Sequence, residues 1–273
     1  MLKARLRLRV VLLLFLAALS GWGLLSAQRP FKAYRGVEYE DFPLPPDWSE
    51  THEWTRARLH YTSHRGVHIP GNGFNQWTVD YPRSDRHLLE GIRRLTRIDS
   101  RSVEQVVDLD GDDDVYNWPS LYAVEVGHWN LSDAEAVQLR EFLLRGGFFM
   151  VDDFHGTVEW GNFIEGMNKV FPDRKIVDLD NKDPIFHVIY DLDDRYQVPG
   201  LQYVYTHSFF EYDGYQAKWR GIYDDKGRVM VAICHNMDLG DAWEHSDNPV
   251  YPERFAALAY RIAVNYFVYD LTH

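Results

Sequence analysis

The segment Leu131–His155, LSDAEAVQLREFLLRGGFFMVDDFH, decides the fold class of this chain. Ser132 and Glu135 form the pattern Ser-x-x-Glu of a capping box, which predicts the start of a helix because each side chain can bind a free amide of the first turn. Gly146-Gly147 then predicts the end of that helix, where a left-handed backbone is common. Phe148–Val151 follows as a run without polar residues, which is typical of a strand buried on both faces of a parallel sheet. A helix that leads into such a strand indicates an α/β fold.

The rest of the sequence continues this alternation on both sides of the segment. Before it, the patterns predict strands at Trp54–Thr62, Val103–Leu109 and Leu121–Val126 and a helix at Asp85–Thr96. After it, they predict a helix at Asn162–Phe171, a strand at Lys175–Leu179, a hairpin of Ala217–Tyr223 with Arg228–His235, and a final helix from Pro252. We therefore predict a mostly parallel sheet with helices on both faces and a hairpin insertion in the C-terminal third, in a single α/β domain over residues 54–273.

Residues 1–27 have the pattern of a targeting segment. Four basic side chains, Lys3, Arg5, Arg7 and Arg9, precede the apolar run Val10–Leu19. This order is typical of a secretory signal peptide or of an N-terminal membrane anchor, and the sequence leaves both open. Either one predicts export of the rest of the chain, with membrane contact through residues 7–25 if the segment stays uncleaved. Residues 28–53, which contain several prolines, are predicted to be a linker.

The charge and the cysteine content narrow the classes of function. The chain has 29 Lys and Arg against 41 Asp and Glu, which gives a net charge of −12. A protein this acidic repels the phosphates of nucleic acids, so no nucleic-acid partner is expected. A single cysteine excludes an internal disulfide framework and a cysteine-rich zinc site. That residue, Cys234, lies within an apolar strand and is expected to be a small buried core residue.

Four stretches of the sequence resemble one protein family. They are Trp77–Pro82 (WTVDYP), Leu131–Glu135 with Arg145–Asp153 (LSDAE and RGGFFMVDD), Asp183–His187 (DPIFH) and Asn236–Trp243 (NMDLGDAW). Through them, residues 54–270 are similar to the bacterial domain of unknown function 4159 family. The resemblance implies a flavodoxin-like fold of the class I glutamine-amidotransferase kind, and a protein exported to the cell envelope, periplasmic or anchored in the inner membrane. It implies no activity, because the family has none established. Thioester chemistry is not expected either, since Asp152 and Asp153 stand where amidotransferases have their cysteine nucleophile.

Polar residues follow the apolar strand Phe148–Val151 directly. Asp152, Asp153 and His155 come where the chain leaves this strand, at the carboxyl edge where open α/β sheets bind their ligands. Two adjacent carboxylates suit acid–base chemistry or a hard divalent cation, since crowding can raise the pKa of one of them. The three residues are therefore candidates for catalysis. In the alternative interpretation, Asp152 caps loop amides and Asp153 is solvated.

A second polar loop follows the second apolar strand of the predicted hairpin. It contains four candidates for ligand binding, Asn236, Asp238, Asp241 and Trp243, of which the last could stack on a sugar ring or fill the core. His187 is a further ligand-binding candidate, expected at the same edge. If the two apolar strands run parallel as neighbours, the two polar loops share one cleft. If the second strand is antiparallel to the first, its loop lies at the opposite edge of the sheet.

These patterns favour a non-catalytic envelope module that binds a partner protein or a small carbohydrate-like ligand at the carboxyl edge of the sheet. The alternative is an exported hydrolase or lyase that uses Asp152, Asp153 and His155 around a divalent metal, the cofactor that these residue types suggest. The sequence has no Gly-x-Ser-x-Gly elbow, Walker loop or Gly-x-Gly-x-x-Gly motif. Serine hydrolases, nucleotide triphosphatases and nicotinamide enzymes therefore lack their usual signals here.

Overall fold

A computed structural model of the chain describes residues 29–34, 42–64, 76–109, 111 and 113–273. The predicted targeting segment, residues 1–27, lies outside the described residues. Among the helices that are described, none is long and apolar enough to cross a membrane. The described parts of the predicted linker contact the domain: Arg93 Nη2 lies 2.7 Å from Asp47 Oδ2, and Arg86 Nη1 donates to the carbonyl of Phe42.

Seven strands form one open sheet. They are β1 Ala57–His60, β2 Gln105–Asp108, β3 Ser120–Val124, β4 Phe148–Asp152, β5 Val177–Asp178, β6 Lys218–Tyr223 and β7 Val229–His235. Their order across the sheet is β2-β1-β3-β4-β7-β6-β5. The first five strands in this order are parallel, and each of the last two is antiparallel to the strand before it. The parallel part has the strand order of flavodoxin-like sheets.

Six α-helices accompany the sheet in the described part of the chain. They are α1 Arg83–Leu95, α2 Asp133–Leu144, α3 Gly156–Val170, α4 Gln202–Thr206, α5 Leu239–Glu244 and α6 Glu253–Thr272. Buried side chains of α1, α5 and α6 belong to one hydrophobic core, and those of α2 and α3 belong to a second core on the other face of the sheet. The predicted α/β class, with a mostly parallel sheet between helices, is therefore confirmed.

The segment 131–155 has the structure that its pattern predicts. Ser132 Oγ accepts a hydrogen bond from the Glu135 amide at 3.2 Å, and the Glu135 carboxylate accepts one from the Ser132 amide at 2.7 Å. Gly146, with φ at +108°, follows the end of α2. Strand β4 is buried along its whole length between β3 and β7. The capping box and the central buried strand are both confirmed.

Helix α3 begins at Gly156, six residues before the predicted start at Asn162. Two of its first amides are capped by side chains from distant parts of the chain. Asn236 Oδ1 accepts from the Gly156 amide at 2.9 Å, and Asp213 Oδ1 accepts from the Thr157 amide at 2.8 Å. No local pattern carries this information, because a cap close to a helix in space can be far from it in sequence.

Candidate functional site

The carboxyl ends of β3, β4 and β7 meet at one edge of the sheet. Strand β4 pairs in parallel with both neighbours, so the residues that follow these strands emerge together. These residues are Glu125 after β3, Asp153 and His155 after β4, and Asn236 and Asp238 after β7. The two polar loops singled out in the sequence therefore lie in one region, as required by the alternative in which the two strands run parallel.

Four non-glycine residues in this region have a left-handed backbone. The angle φ is 61° at Asp80, 54° at Glu125, 51° at Asp153 and 63° at Asn236. Only glycine adopts this conformation without steric cost, so the surrounding structure has to hold these residues in place. The amide of Asp153, for example, donates to the carbonyl of Met237 at 2.9 Å. Backbone strain of this kind is typical of functional sites.

Three buried carboxylates converge here. Asp80, Asp153 and Asp238 each place one carboxylate oxygen within 4.8 Å of the other two, and each residue is at most 6% exposed. We call these three residues the carboxylate set. They come from distant segments: the turn before α1, the end of β4 and the N-cap of α5. Oxygen ligands gathered in this way are the ligands that hard divalent cations prefer.

Burial and mutual repulsion raise the pKa of two members of the set. The pKa of Asp153 lies well above its usual range, because of burial first and then the carboxylates of Glu125 and Asp80. The pKa of Asp238 is also well above its usual range, because of burial and then Asp153 and Asp241. Negative charge on these groups is therefore costly unless a proton or a cation accompanies it.

His155 does not provide that positive charge. Its Nε2 lies 3.2 Å from Asp153 Oδ1, and burial lowers the pKa of the ring to about 4. At neutral pH the ring is therefore neutral, and it can donate its Nε2 proton to Asp153. The amide of His155 donates to the carboxylate of Glu159, which fixes the backbone between β4 and α3.

Two buried arginines lie near the set and share one aspartate. Arg56 Nε lies 3.2 Å from Asp85 Oδ1, and Arg58 Nη2 lies 2.8 Å from Asp85 Oδ2. Despite these guanidinium groups, the pKa values of Asp153 and Asp238 stay raised. A cation that binds to the carboxylate set would therefore displace protons from it.

Asp152 binds backbone amides, as in the alternative interpretation of its role. Its Oδ2 accepts hydrogen bonds from the amides of Leu239 at 2.7 Å and Gly240 at 3.1 Å, at the start of α5. Burial raises the pKa of Asp152 to about 6. Asp152 therefore joins the end of β4 to the loop after β7, next to the carboxylate set.

Asn236 and Asp241 also hold the backbone of this region. Besides capping α3, Asn236 donates from Nδ2 to the carbonyl of Gln216 at 2.8 Å. Asp241 accepts a hydrogen bond from the amide of Leu201 at 2.6 Å, and its other oxygen lies 3.4 Å from Nε2 of His245. Both side chains are thus engaged by protein groups.

The other two predicted ligand-binding residues lie apart from the carboxylate set. Trp243 is fully buried, with its ring 5.9 Å from that of Tyr122 and 4.8 Å from the guanidinium of Arg56. It fills the core and presents no open face on which a sugar could stack. His187 is bound locally, with Nδ1 2.9 Å from Asp191 Oδ1 and Nε2 2.6 Å from the carbonyl of Asn181.

Asp80 is the residue of the set that the sequence patterns did not single out as a site residue. It lies in the stretch Trp77–Pro82, which was notable only for its family resemblance. A carboxylate in such an apolar and aromatic stretch is the one local signal that could have indicated it, because buried carboxylates need a reason. Glu125 was missed for a different reason, since the strand was predicted to continue through it to Val126.

Exposed aromatic side chains lie beside the site. We call them the aromatic rim; they belong to residues 205–215 and are Tyr205, Phe209, Phe210, Tyr212 and Tyr215, each at least 40% exposed. The same segment contributes Glu211, whose Oε1 lies 4.0 Å from Nε2 of His155. The rim is thus connected to the carboxylate set through Glu211 and His155. Exposed apolar side chains that are grouped on one segment, rather than scattered singly, are typical of interaction sites.

Comparison with known proteins gives a family and no activity. The family model described as a domain of unknown function, DUF4159, matches residues 57–271. No curated protein matches the chain. The match covers the whole sheet and every helix described above except for the last residue of α6.

Proposed function

Since the chain belongs to the DUF4159 family, for which no function is described, we propose that it is an exported envelope module that binds a carbohydrate-like ligand with the help of a divalent cation. The cation would bind to Asp80, Asp153 and Asp238. The observation that carries the proposal is the convergence of these three buried carboxylates, each with one oxygen within 4.8 Å of the other two. A cation would offset the burial and the mutual repulsion that together raise the pKa of Asp153 and Asp238.

A second feature at this point is Gly240, which lets polar groups approach one another closely. The hydroxyl of Tyr122 and the carboxylate of Asp152 interact, which lowers the pKa of Asp152 against the effect of burial. Asp152 also binds the Gly240 amide, and a methyl group added at Gly240 would lie 3.3 Å from the Tyr122 hydroxyl and 2.0 Å from Asp80 Oδ2. The lack of a side chain at Gly240 therefore allows Asp80 to reach the carboxylate set.

The aromatic rim supports a sugar as the ligand class. Apolar faces of sugar rings pack on exposed aromatic side chains, while their hydroxyl groups bind carboxylates and cations. Tyr212 and Tyr215 are 72% and 64% exposed on the segment that carries Glu211. A ligand at the carboxylate set would therefore have aromatic surface within reach.

The experiment is a titration of the purified full-length chain with CaCl2, MgCl2 and MnCl2, followed by calorimetry. We expect one cation to bind, and we expect Asp153→Asn and Asp238→Asn to weaken its binding at least about tenfold, since even the loss of a residue that only supports a metal ligand costs about this much. Asp270→Asn is the matched control, because Asp270 is a buried carboxylate with a raised pKa that pairs with Arg228, away from the set. Absence of binding of all three cations to the wild-type chain would contradict the proposal.

The sugar is tested in the same chain with a panel of neutral and acidic oligosaccharides. Binding should require the cation that the first titration identifies, so that EDTA abolishes it. Removal of two rings of the aromatic rim, Tyr212→Ala with Tyr215→Ala, should weaken sugar binding and leave cation binding unchanged. A chain that binds the cation but none of the oligosaccharides would refute the ligand class alone.

The hydrolase alternative has one observation in its favour. Asp153 has a raised pKa and a left-handed backbone, and it lies between β4 and α3. Its Oδ1 lies 3.2 Å from Nε2 of His155. A carboxyl whose pKa is raised in this way is better suited to act as a general acid than an ordinary aspartate. The same oligosaccharide panel distinguishes the two functions: new reducing ends that appear with the wild-type chain and not with Asp153→Asn would indicate hydrolysis.

A further inference from the structure

A cavity of about 320 Å³ is lined in part by Asn236, which precedes Asp238 of the carboxylate set by two residues. The residues that matter for its chemistry are Lys218, Arg220, His235, Trp160, Tyr215 and Asp213. Two cationic side chains in one cavity are notable in a chain with a net charge of −12. We call it the basic cavity.

The pairing of β6 with β7 brings the polar side chains of the basic cavity to one face of the sheet. Lys218 and Arg220 are two residues apart on β6, so both side chains point to the same side. His235 is the partner of Lys218 in the register of β6 with β7, and it therefore lies beside them. Helix α3 covers this face and contributes Trp160.

Arg220 is held in place from three directions. Its guanidinium lies over the ring of Trp160, 4.1 Å from the ring centre, and its Nε lies 3.0 Å from Asp178 Oδ1. Its Nη1 lies 3.4 Å from His235 Nδ1. A guanidinium fixed in this way loses little entropy when it binds an anion, and its planar fork matches a carboxylate. Preorganisation of this kind favours a recognition role.

His235 is a positioning residue for Arg220. Its Nε2 lies 3.1 Å from the carbonyl oxygen of Gly156, which can only accept, so the ring proton is on Nε2. Nδ1 is then an acceptor and takes the hydrogen bond that Nη1 of Arg220 donates. Burial, followed by the charge of Arg220, lowers the pKa of His235 to about 4, and the ring therefore stays neutral at neutral pH.

Among the described residues that line the cavity, Asp213 is the one carboxylate, and Thr157 occupies both of its oxygens. Asp213 accepts from the amide and from the hydroxyl of Thr157, both at 2.8 Å. Lys218, in contrast, makes a single hydrogen bond within the described residues, to Gln216 at the long distance of 3.5 Å. Nζ of Lys218 and Nη2 of Arg220 can therefore donate hydrogen bonds to an anionic group. Both lie beside the aromatic rings of Trp160 and Tyr215.

We propose that the basic cavity binds the carboxylate of an acidic saccharide, through Arg220 and Lys218. This proposal rests on the proposed function, because it assigns the charge of the ligand that the carboxylate set and its cation would hold nearby. A sugar unit with a carboxylate would pack on Trp160 or Tyr215, with its charge on the guanidinium fork. Tyr215 belongs to both the aromatic rim and the basic cavity, so one oligosaccharide can reach both.

The test compares a trisaccharide of galacturonic acid with the neutral trisaccharide of galactose, by calorimetry on the cation-loaded full-length chain. We expect the acidic trisaccharide to bind at least about tenfold more tightly, the gain of a charge-assisted pair. Arg220→Gln should remove this preference, and Arg220→Lys should restore only part of it, because lysine keeps the charge but lacks the fork. Binding of the neutral trisaccharide should not change in either variant.

Arg174→Gln is the matched control, since Arg174 is similarly half-buried and pairs with Asp225 outside the cavity. His235→Gln should reduce the preference without changing the pH at which it appears, as expected of a neutral positioning residue. Equal binding of the two trisaccharides, or a preference that persists in Arg220→Gln, would overturn the basic cavity and leave the proposed function standing. Failure of both trisaccharides to bind the cation-loaded chain would overturn the basic cavity and the sugar as ligand class, and would leave the cation site to its own titration.

Discussion

Asp153 is the residue whose ionisation should matter most for stability. Its folded pKa is raised well above the value of about 3.9 for a free aspartate, so the folded state holds a proton that the unfolded state has lost. Stability should therefore fall as the pH rises above about 4 toward the folded pKa. The whole loss in free energy of unfolding is reached only without a bound cation and at a pH above the pKa of Asp153 in the folded state.

Asp153→Asn tests this ionisation directly, because asparagine resembles the protonated acid. In EDTA, the variant should gain at least about 1 kcal/mol in free energy of unfolding relative to wild type between pH 5 and pH 8, since one pKa unit corresponds to about 1.4 kcal/mol. Urea denaturation at the two pH values measures the change. Asp178→Asn is the control, because Asp178 is 77% exposed. The same difference between variant and wild type at both pH values would show that Asp153 has an ordinary pKa.

Cys234 should have no chemical role. It is fully buried, with its sulfur 4.0 Å from the hydroxyl of Tyr266, and burial raises its thiol pKa well above the ordinary value, so no thiolate forms. Cys234→Ala should leave cation binding intact and lower the free energy of unfolding by about 1 kcal/mol. Calorimetry and urea denaturation of the same sample measure both. Loss of cation binding in a folded Cys234→Ala variant would show that the thiol does have a chemical role.

The sequence predicted part of the site at the level of residues. Asp153 and Asp238 could be found because each follows an apolar strand, and a carboxylate becomes tolerable only where burial in the sheet ends. Asp80 was missed, since it reaches the site from a turn before α1, and its one local signal, a carboxylate within an apolar and aromatic stretch, does not show against what it packs. The packing of Trp243 into the core was also open, because a tryptophan serves equally in a core or in a binding site.

At the scale of elements, the start of α5 controls the position of Asp80. A methyl group at Gly240 would lie 2.0 Å from Asp80 Oδ2, too close for a real contact. Gly240→Ala should therefore displace the Asp80 carboxylate and weaken cation binding at least about tenfold. Gly161→Ala on α3 is the matched control, because a methyl group there meets nothing within 4 Å. Equal cation affinity in the two variants would show that Asp80 is not a ligand.

The capping box of α2 gives a prediction about stability alone, because α2 contributes no residue to the carboxylate set. Ser132→Ala removes the hydroxyl that binds the Glu135 amide and should lower the free energy of unfolding by about 1 kcal/mol, the usual value of an N-cap. Ser132→Asp should retain most of the stability, since aspartate is an equally good cap. Urea denaturation distinguishes them, and equal loss in both variants would mean that the cap contributes little.

Elements with a local signal were predicted well, and those without one were not. Helix α2 has its cap, its apolar face and its terminal glycines within one stretch of sequence, so its bounds could be predicted. Helix α3 begins early because Asn236 and Asp213 cap it from other parts of the chain. The direction of β7 was open for the same reason: a hairpin fixes it relative to β6, but only packing fixes it relative to β4.

At the scale of the whole molecule, the prediction of export determines the cellular compartment in which the protein would encounter a ligand. The basic residues before Val10–Leu19 predict that the domain is transferred across a membrane. An alkaline phosphatase domain fused after His273 should be active, and a green fluorescent protein fused at the same point through the general secretory route should not fluoresce. Replacement of Arg5, Arg7 and Arg9 by glutamate should reduce the phosphatase activity. Activity confined to the cytoplasm would refute export.

The two-residue strand β5 has a consequence for how the protein behaves at high concentration. An apolar strand left at the border of a sheet offers unpaired amides and carbonyls to other molecules and promotes aggregation. Strand β7 is such a strand, but β6 covers it, and β6 in turn is bordered by β5, which spans only Val177–Asp178 and whose Asp178 pairs with Arg220. This border of the sheet therefore carries charge, whereas β2 forms the other border. The antiparallel extension thus keeps the apolar strand β7 in the interior of the sheet, where other chains cannot pair with it.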